Sequence, residues 1–131
     1  MTPVSIEMPF PPSLNNMFAG ITRRRITKHY RTWRNEAEKM ILISRARPMA
    51  GPVKIAIKLH PPDSRARDAS NFIKAIEDAL VRMRVIPDDS AEHVQGVTAE
   101  WGPVAKPSKR ARAIVTITPL TTEVGQQPKG G

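Results

Sequence analysis

Apolar residues in the middle of the chain recur at helical intervals: Ala69, Phe72, Ile73, Ile76, Ala79, Leu80 and Met83. A helix with one dry side must lay that side against another layer of structure. The sequence just upstream supplies such a layer. Val53, Ile55, Ile57 and Leu59 alternate with Lys54, Lys58 and His60, the period-two pattern of a strand with one buried face. Pro61-Pro62-Asp63 closes that strand, and Asp68 stands where the N-cap of a helix over residues 69–84 would stand.

The remaining segments fit around this pair. Residues 4–8 alternate weakly and predict a short strand, stopped by Pro9-Phe10-Pro11-Pro12. Residues 13–27 read as a loop, with Asn15-Asn16, Gly20 and an arginine triplet. Tyr30, Trp33, Ala37, Met40, Ile41 and Ser44 predict a first helix over about residues 29–47, stopped by Pro48. Ile86-Pro87-Asp88-Asp89-Ser90 reads as a turn, and strands are predicted over residues 94–101 and 112–118. Residues 121–131 lack any periodicity and are expected to be a disordered tail. The expected fold is thus a mixed α/β (α+β) domain over residues 1–120: about four strands in a mixed sheet, with two main helices covering it. Nothing in the chain resembles a membrane span or a signal peptide, so a cytoplasmic protein without membrane attachment is expected.

Charge narrows the partner. Lys and Arg number 21 against 12 Asp and Glu, a formal net charge of +9. A small domain this basic is expected to meet a polyanion, because each neutralised phosphate releases a counterion. The charge is also clustered. Arg23, Arg24, Arg25, Lys28, Arg31 and Arg34 follow one another with no intervening acid, and Lys106, Lys109, Arg110 and Arg112 form a second run. Neither run makes an amphipathic helix with a large apolar face, which favours nucleic acid over a membrane surface. Zero cysteines and 3 scattered histidines argue against a zinc centre.

The densest chemistry lies at the start of the second predicted helix. Helical spacing sets Asn71, Lys74 and Asp78 along one side, roughly opposite the apolar stripe, with Asp68 one turn earlier and Asp88-Asp89 arriving from the loop beyond. Phosphodiester hydrolysis uses such parts. Carboxylates from separated segments hold Mg2+, the metal activates water, and a lysine offsets charge growing on the phosphate. A plainer reading stays open: Asp68 caps the helix, Asp78 pairs with Lys74, and Asp88-Asp89 is a solvated turn.

The segment around these residues resembles the signature of the RusA-type Holliday junction resolvases. The matching elements are Arg65 and Arg67, then Asp68-Ala69-Ser70-Asn71, Lys74, Asp78-Ala79-Leu80 and Asp88-Asp89, preceded by Phe10-Pro11-Pro12-Ser13-Leu14-Asn15. The resemblance covers roughly residues 6–118. It implies a homodimeric endonuclease of DNA recombination and repair that makes paired nicks in four-way junctions. It further implies Mg2+ as the cofactor, with Mn2+ as a substitute, and no small-molecule cofactor. Carried over by position, Asp68 and Asp89 would be metal ligands with Asp88 beside them, Lys74 the catalytic lysine, and Asn71 a supporting polar residue. Arg65, Arg67 and the run Arg23, Arg24, Arg25 and Lys28 would grip the DNA backbone.

One position departs from that signature. Ser70 stands where the family's motif has a second acid, so a metal site here has one charge fewer and a weaker, neutral ligand. Either the remaining acids suffice, with water filling the gap, or the chain binds junctions with weakened or absent cleavage. Glu77 lies two helical turns on, about 10.8 Å along the axis, too far to replace the missing acid. Tyr30 and Trp33 could stack on bases, but their spacing is that of a core face; Phe72 is expected in the core, Trp101 in the core or a dimer interface, and His93 at the surface.

Overall fold

The computed structural model describes residues 2–120; the tail expected over residues 121–131 lies outside them. Four strands form the main sheet: β1 (Val4–Pro9), β4 (Val53–His60), β5 (Val94–Trp101) and β6 (Arg112–Pro119). Their order is β1-β6-β4-β5. β6 runs antiparallel to both β1 and β4, whereas β4 and β5 are parallel. The sheet is mixed, as the sequence pattern predicts.

Alternation decides which side is dry. Val53, Ile55, Ile57 and Leu59 of β4, Ala113, Val115 and Ile117 of β6, and Ile6 and Met8 of β1 are all buried in one cluster. Lys54, Ala56 and Lys58 are exposed on the opposite side. Both long helices pack against the buried side, because Tyr30, Trp33, Ala37 and Ile41 of α1 (Lys28–Ser44) and Ala75, Ile76, Ala79 and Leu80 of α2 (Ile73–Arg82) join the same cluster. The helices are also tied to one another, with Arg82 Nε donating to Glu38 at 2.8 Å.

Both helices differ at their ends from the sequence expectation. Proline does not stop α1. Arg45 adopts a left-handed conformation (φ 59°) and its N–H donates to the Leu42 carbonyl, so the helix ends at Ser44. Residues 69–84 do not form one α-helix. Ala69–Phe72 is a tight 3-10 turn, and the α-helix proper begins at Ile73. Asp68 does cap that turn, accepting from the Ser70 backbone N–H. It also accepts from the Ser70 hydroxyl at 2.8 Å, so two bonds from one residue hold the tighter geometry.

The segment expected as a loop contains a two-stranded ribbon, β2 (Phe18–Ala19) with β3 (Arg25–Ile26). Two-residue strands are too short to show a period, so sequence reading passes over them. Gly20 is required in the turn: its φ is 106°, and a Cβ there would come within 2.2 Å of the Arg23 carbonyl oxygen. The ribbon leads directly into α1, where Thr27 accepts from the Tyr30 N–H and donates to the Asn16 carbonyl. Tyr30 and Trp33 are core residues, and the Trp33 indole N–H donates to the Pro9 carbonyl at 2.8 Å. Among the described residues no helix is long and apolar enough to cross a membrane.

Candidate active site

The residues singled out by sequence fall into two clefts beside the 3-10 turn and α2. The first is lined by the prolines and asparagines of residues 11–16 together with Arg65, Arg67, Asp68 and Asn71. Folding therefore brings the Pro-Pro-Ser opening of the chain against the Asp68 turn, although over fifty positions separate them (Pro12 to Asp68). The second cleft is lined by Lys74, Asp78, Asp88 and Asp89, with Phe18, Ile26, Tyr30 and Arg34 from the ribbon and α1. The single polar stripe expected of Asn71, Lys74 and Asp78 is thus divided. Asn71 belongs to the 3-10 turn and faces a different cleft, because a 3-10 turn does not keep the 100° step on which the stripe was drawn.

Lys74 organises the second cleft. Its ammonium group stands 3.2 Å from Asp78 and 3.7 Å from Asp89. The Asp78 hydrogen bond and charge, with a further contribution from Asp89, raise the lysine pKa, so the group is a firm cation at neutral pH. Glu77 is half-buried there; burial first, and then the Asp89 charge, raise its pKa. Arg34 completes the wall, its guanidinium 5.6 Å from the Tyr30 ring centroid and its Nε buried without a partner among the described residues. In the sequence Arg34 is only one member of a basic run; nothing in its spacing signals that it lines the same cleft as the acids.

Asp88 and Asp89 differ despite being neighbours. Asp88 accepts from the Ser90 backbone N–H at 2.9 Å, and its Oδ1 lies 2.9 Å from His93 Nδ1. Hydrogen bonds from Ser90, and then from His93, lower its pKa to about 2. Asp88 shapes the turn, and Asp89 is the acid directed at Lys74. His93, expected at the surface, is one of the groups that hold this turn.

The two loop arginines differ as well. The Arg65 side chain is 78% exposed. That of Arg67 is 11% exposed: one terminal nitrogen lies 2.9 Å from Asp63 and the other donates to the Asp63 carbonyl at 3.2 Å. Its guanidinium stands 5.8 Å from the Phe10 ring centroid. Phe10, Phe72 and Trp101 form an aromatic cluster, with Phe72 edge-on to Trp101 at 5.8 Å. Phe72 is buried as expected, while Trp101 keeps 37% of its surface. Arg23, Arg24, Arg25 and Lys28 are all exposed along the ribbon and the start of α1.

A divalent cation is testable against these donors. Carboxylate oxygens on Asp68, Asp78, Asp88 and Asp89 are the hard ligands Mg2+ takes, and Mg2+ keeps several waters, so one or two protein ligands are enough. The donor chemistry fits. Among the described residues, however, no group of three or more His, Cys, Asp or Glu side chains is close enough to hold a metal, and the Ser70 hydroxyl is already engaged with Asp68.

Fold and clefts together define a small, basic α+β domain whose acids and lysine are presented by one helix and the turns at its two ends. The family model described as endodeoxyribonuclease RusA matches residues 9–118. The chain belongs to the RusA endodeoxyribonuclease family. It is 32% identical over 126 residues to a crossover junction endodeoxyribonuclease RusA of Shigella sonnei (strain Ss046), covering 94% of this chain and all of that one. The corresponding proteins of Escherichia coli (strain K12) and Enterobacteria phage 82 are 31% and 32% identical over the same span.

Proposed function

We propose that this chain is a metal-dependent endodeoxyribonuclease that resolves four-way DNA junctions by paired nicks, acting in the cytoplasm as a homodimer. The observation that carries the reading is the Lys74 cluster: a firmly protonated lysine between Asp78 and Asp89, within a domain of charge +9 that belongs to this family. Charge of that sign draws in the DNA backbone, and the cleft supplies the local chemistry.

Asp68 in the first cleft, next to Ser70, and Asp89 in the second, next to Asp88, would each offer a carboxylate to Mg2+ or Mn2+; when bound, the ion supplies an activated water and Lewis-acid stabilisation. The chain's own residues do the rest. Lys74 sets a positive charge where negative charge builds on the scissile phosphate. Asp78 keeps Lys74 protonated and in place through the 3.2 Å contact. Asp88 holds the turn that presents Asp89, and Asn71 offers an amide in the cleft of Asp68. Arg65 and the exposed cations Arg23, Arg24, Arg25 and Lys28 hold the DNA backbone. Two-fold symmetry in the protein would match the two symmetric strands that a four-way junction offers.

The test is incubation with a labelled four-way junction and a matched linear duplex, with Mg2+, with Mn2+ and with chelator. Symmetric, metal-dependent nicks confined to the junction are expected, lost in Asp68→Asn and Asp89→Asn while binding survives. Cleavage that is unchanged in those variants refutes the reading.

A further inference from the structure

The second basic run has no part in either cleft, and its placement gives it one. The segment from Gly102 to Arg112 crosses the end of the sheet where β4 finishes and β6 begins, His60 pairing with Arg112. Backbone bonds pin it there. Gly102 N–H donates to the Leu59 carbonyl and Ala105 N–H to the Pro61 carbonyl, both at 2.8 Å, and His60 Nδ1 lies 3.0 Å from the Pro103 carbonyl. Gly102 permits this approach, since a Cβ there would come 2.6 Å from the His60 ring. A further 3-10 turn, Ser108–Arg110, fixes the far side.

Lys106, Lys109 and Arg110 project from this pinned segment into solvent. None forms an ion pair among the described residues. No acid occurs between Gly102 and Leu120, and the nearest one in sequence, Glu100, is engaged by Lys58 at 3.3 Å. Beside the segment runs a groove lined by Arg65, Trp101, Gly102 and Val104, and by Asp63, whose charge Arg67 engages at 2.9 Å. The second basic run therefore begins where the loop leading to Asp68 passes, with the half-exposed Trp101 between them.

We propose that Lys106, Lys109, Arg110 and the exposed flank of Trp101 form a second DNA-backbone surface, which holds an arm of the branched substrate beside the Asp68 end of the site. The inference rests on the reading that the chain binds branched DNA. Three cations on a braced segment meet phosphates without ordering a loop first, so that part of the entropy cost of association is absent. The surface is separate from the ribbon cations, which lie beside the Lys74 cleft, and the two would grip different parts of one substrate.

Metal-free binding of a four-way junction in chelator, followed across salt concentrations, tests this without any need for cleavage. Every phosphate that a variant no longer neutralises lowers the slope of log affinity against log salt by about 0.9. The variant Lys106→Gln/Lys109→Gln/Arg110→Gln is expected to bind more weakly, with a slope shallower by about 2 to 3. A control, Lys39→Gln/Arg47→Gln on exposed positions of and just beyond α1, is expected to keep the wild-type slope. Trp101 reports directly on the same surface. Trp33 is buried and is the other tryptophan of 2, so acrylamide quenching of the free protein reads Trp101, and bound junction should suppress it. An unchanged slope in the triple variant, an equal fall in the control, or undiminished quenching in the complex overturns the proposal and leaves the nuclease reading standing. Failure of the wild-type protein to bind the junction at all overturns both.

Discussion

Arg65 and Arg67 flank one alanine and are indistinguishable as sequence, yet the structure predicts opposite consequences for losing them. Arg67→Ala removes the contacts to Asp63, a 2.9 Å ion pair and a 3.2 Å bond to its carbonyl, that fold the loop back on itself. It also removes the guanidinium over Phe10, worth about 0.5–1 kcal/mol, and the packing of a nearly buried stem, about 1 kcal/mol after partial collapse. The expected loss from these two terms is about 2 kcal/mol. For a domain of this size that is a fall in Tm of about 7 °C. Arg65→Ala exposes nothing new and should change stability by less than about 0.5 kcal/mol. It should instead lower the salt slope of junction binding by about 0.9. Thermal denaturation and junction titration of the two variants, side by side, decide the matter. If Arg67→Ala melts within 2 °C (about 0.5 kcal/mol) of wild type and binds as poorly as Arg65→Ala, the assignment of Arg67 to the loop's architecture is refuted.

Other outcomes follow from the same geometry. Ser70→Asp replaces a hydroxyl that donates to Asp68 with a second carboxylate; it should melt about 1 kcal/mol lower in chelator and gain more than wild type from added Mg2+, and equal Mg2+-induced Tm shifts would count against it. Asp88, held near pKa 2 against an ordinary carboxylate value of 3.8, contributes stability that is full above pH 4 and is lost as pH falls toward 2; an NMR titration of its carboxyl carbon with a midpoint near 4 would contradict the turn described. Phe72→Ala opens the aromatic cluster beside the Asp68 turn and should cost about 3–5 kcal/mol, measurable by denaturant unfolding, with a loss below 1 kcal/mol excluding a central role for that cluster.

Much of the architecture is legible in the chain because it follows from period alone. Alternation in Val53 to Leu59 and the stripe from Ala69 to Met83 each require a partner layer, and the two together define a sheet with helices on one face. The cap at Asp68 is legible for the same local reason, since an Asx side chain reaches only its own turn. The β2-β3 ribbon is not legible, because two-residue strands carry no period. Nor is the end of α1, which a left-handed arginine sets three residues before the proline.

The site divides along the same line. Residue type and order within one segment are enough to nominate Asp68, Asn71, Lys74, Asp88 and Asp89 and to indicate a family. Their sorting is a matter of three-dimensional placement. The 3-10 start of the second helix sets Asn71 in a different cleft from Lys74, the Ser90 and His93 bonds commit Asp88 to the turn, and Arg34 joins the wall of the Lys74 cleft from the other long helix. Sequence by itself determined the layers and the chemical parts, because period and side-chain chemistry are local properties. Only the tertiary structure decided which charges meet one another and which face solvent, because that depends on chain segments packed together from far apart.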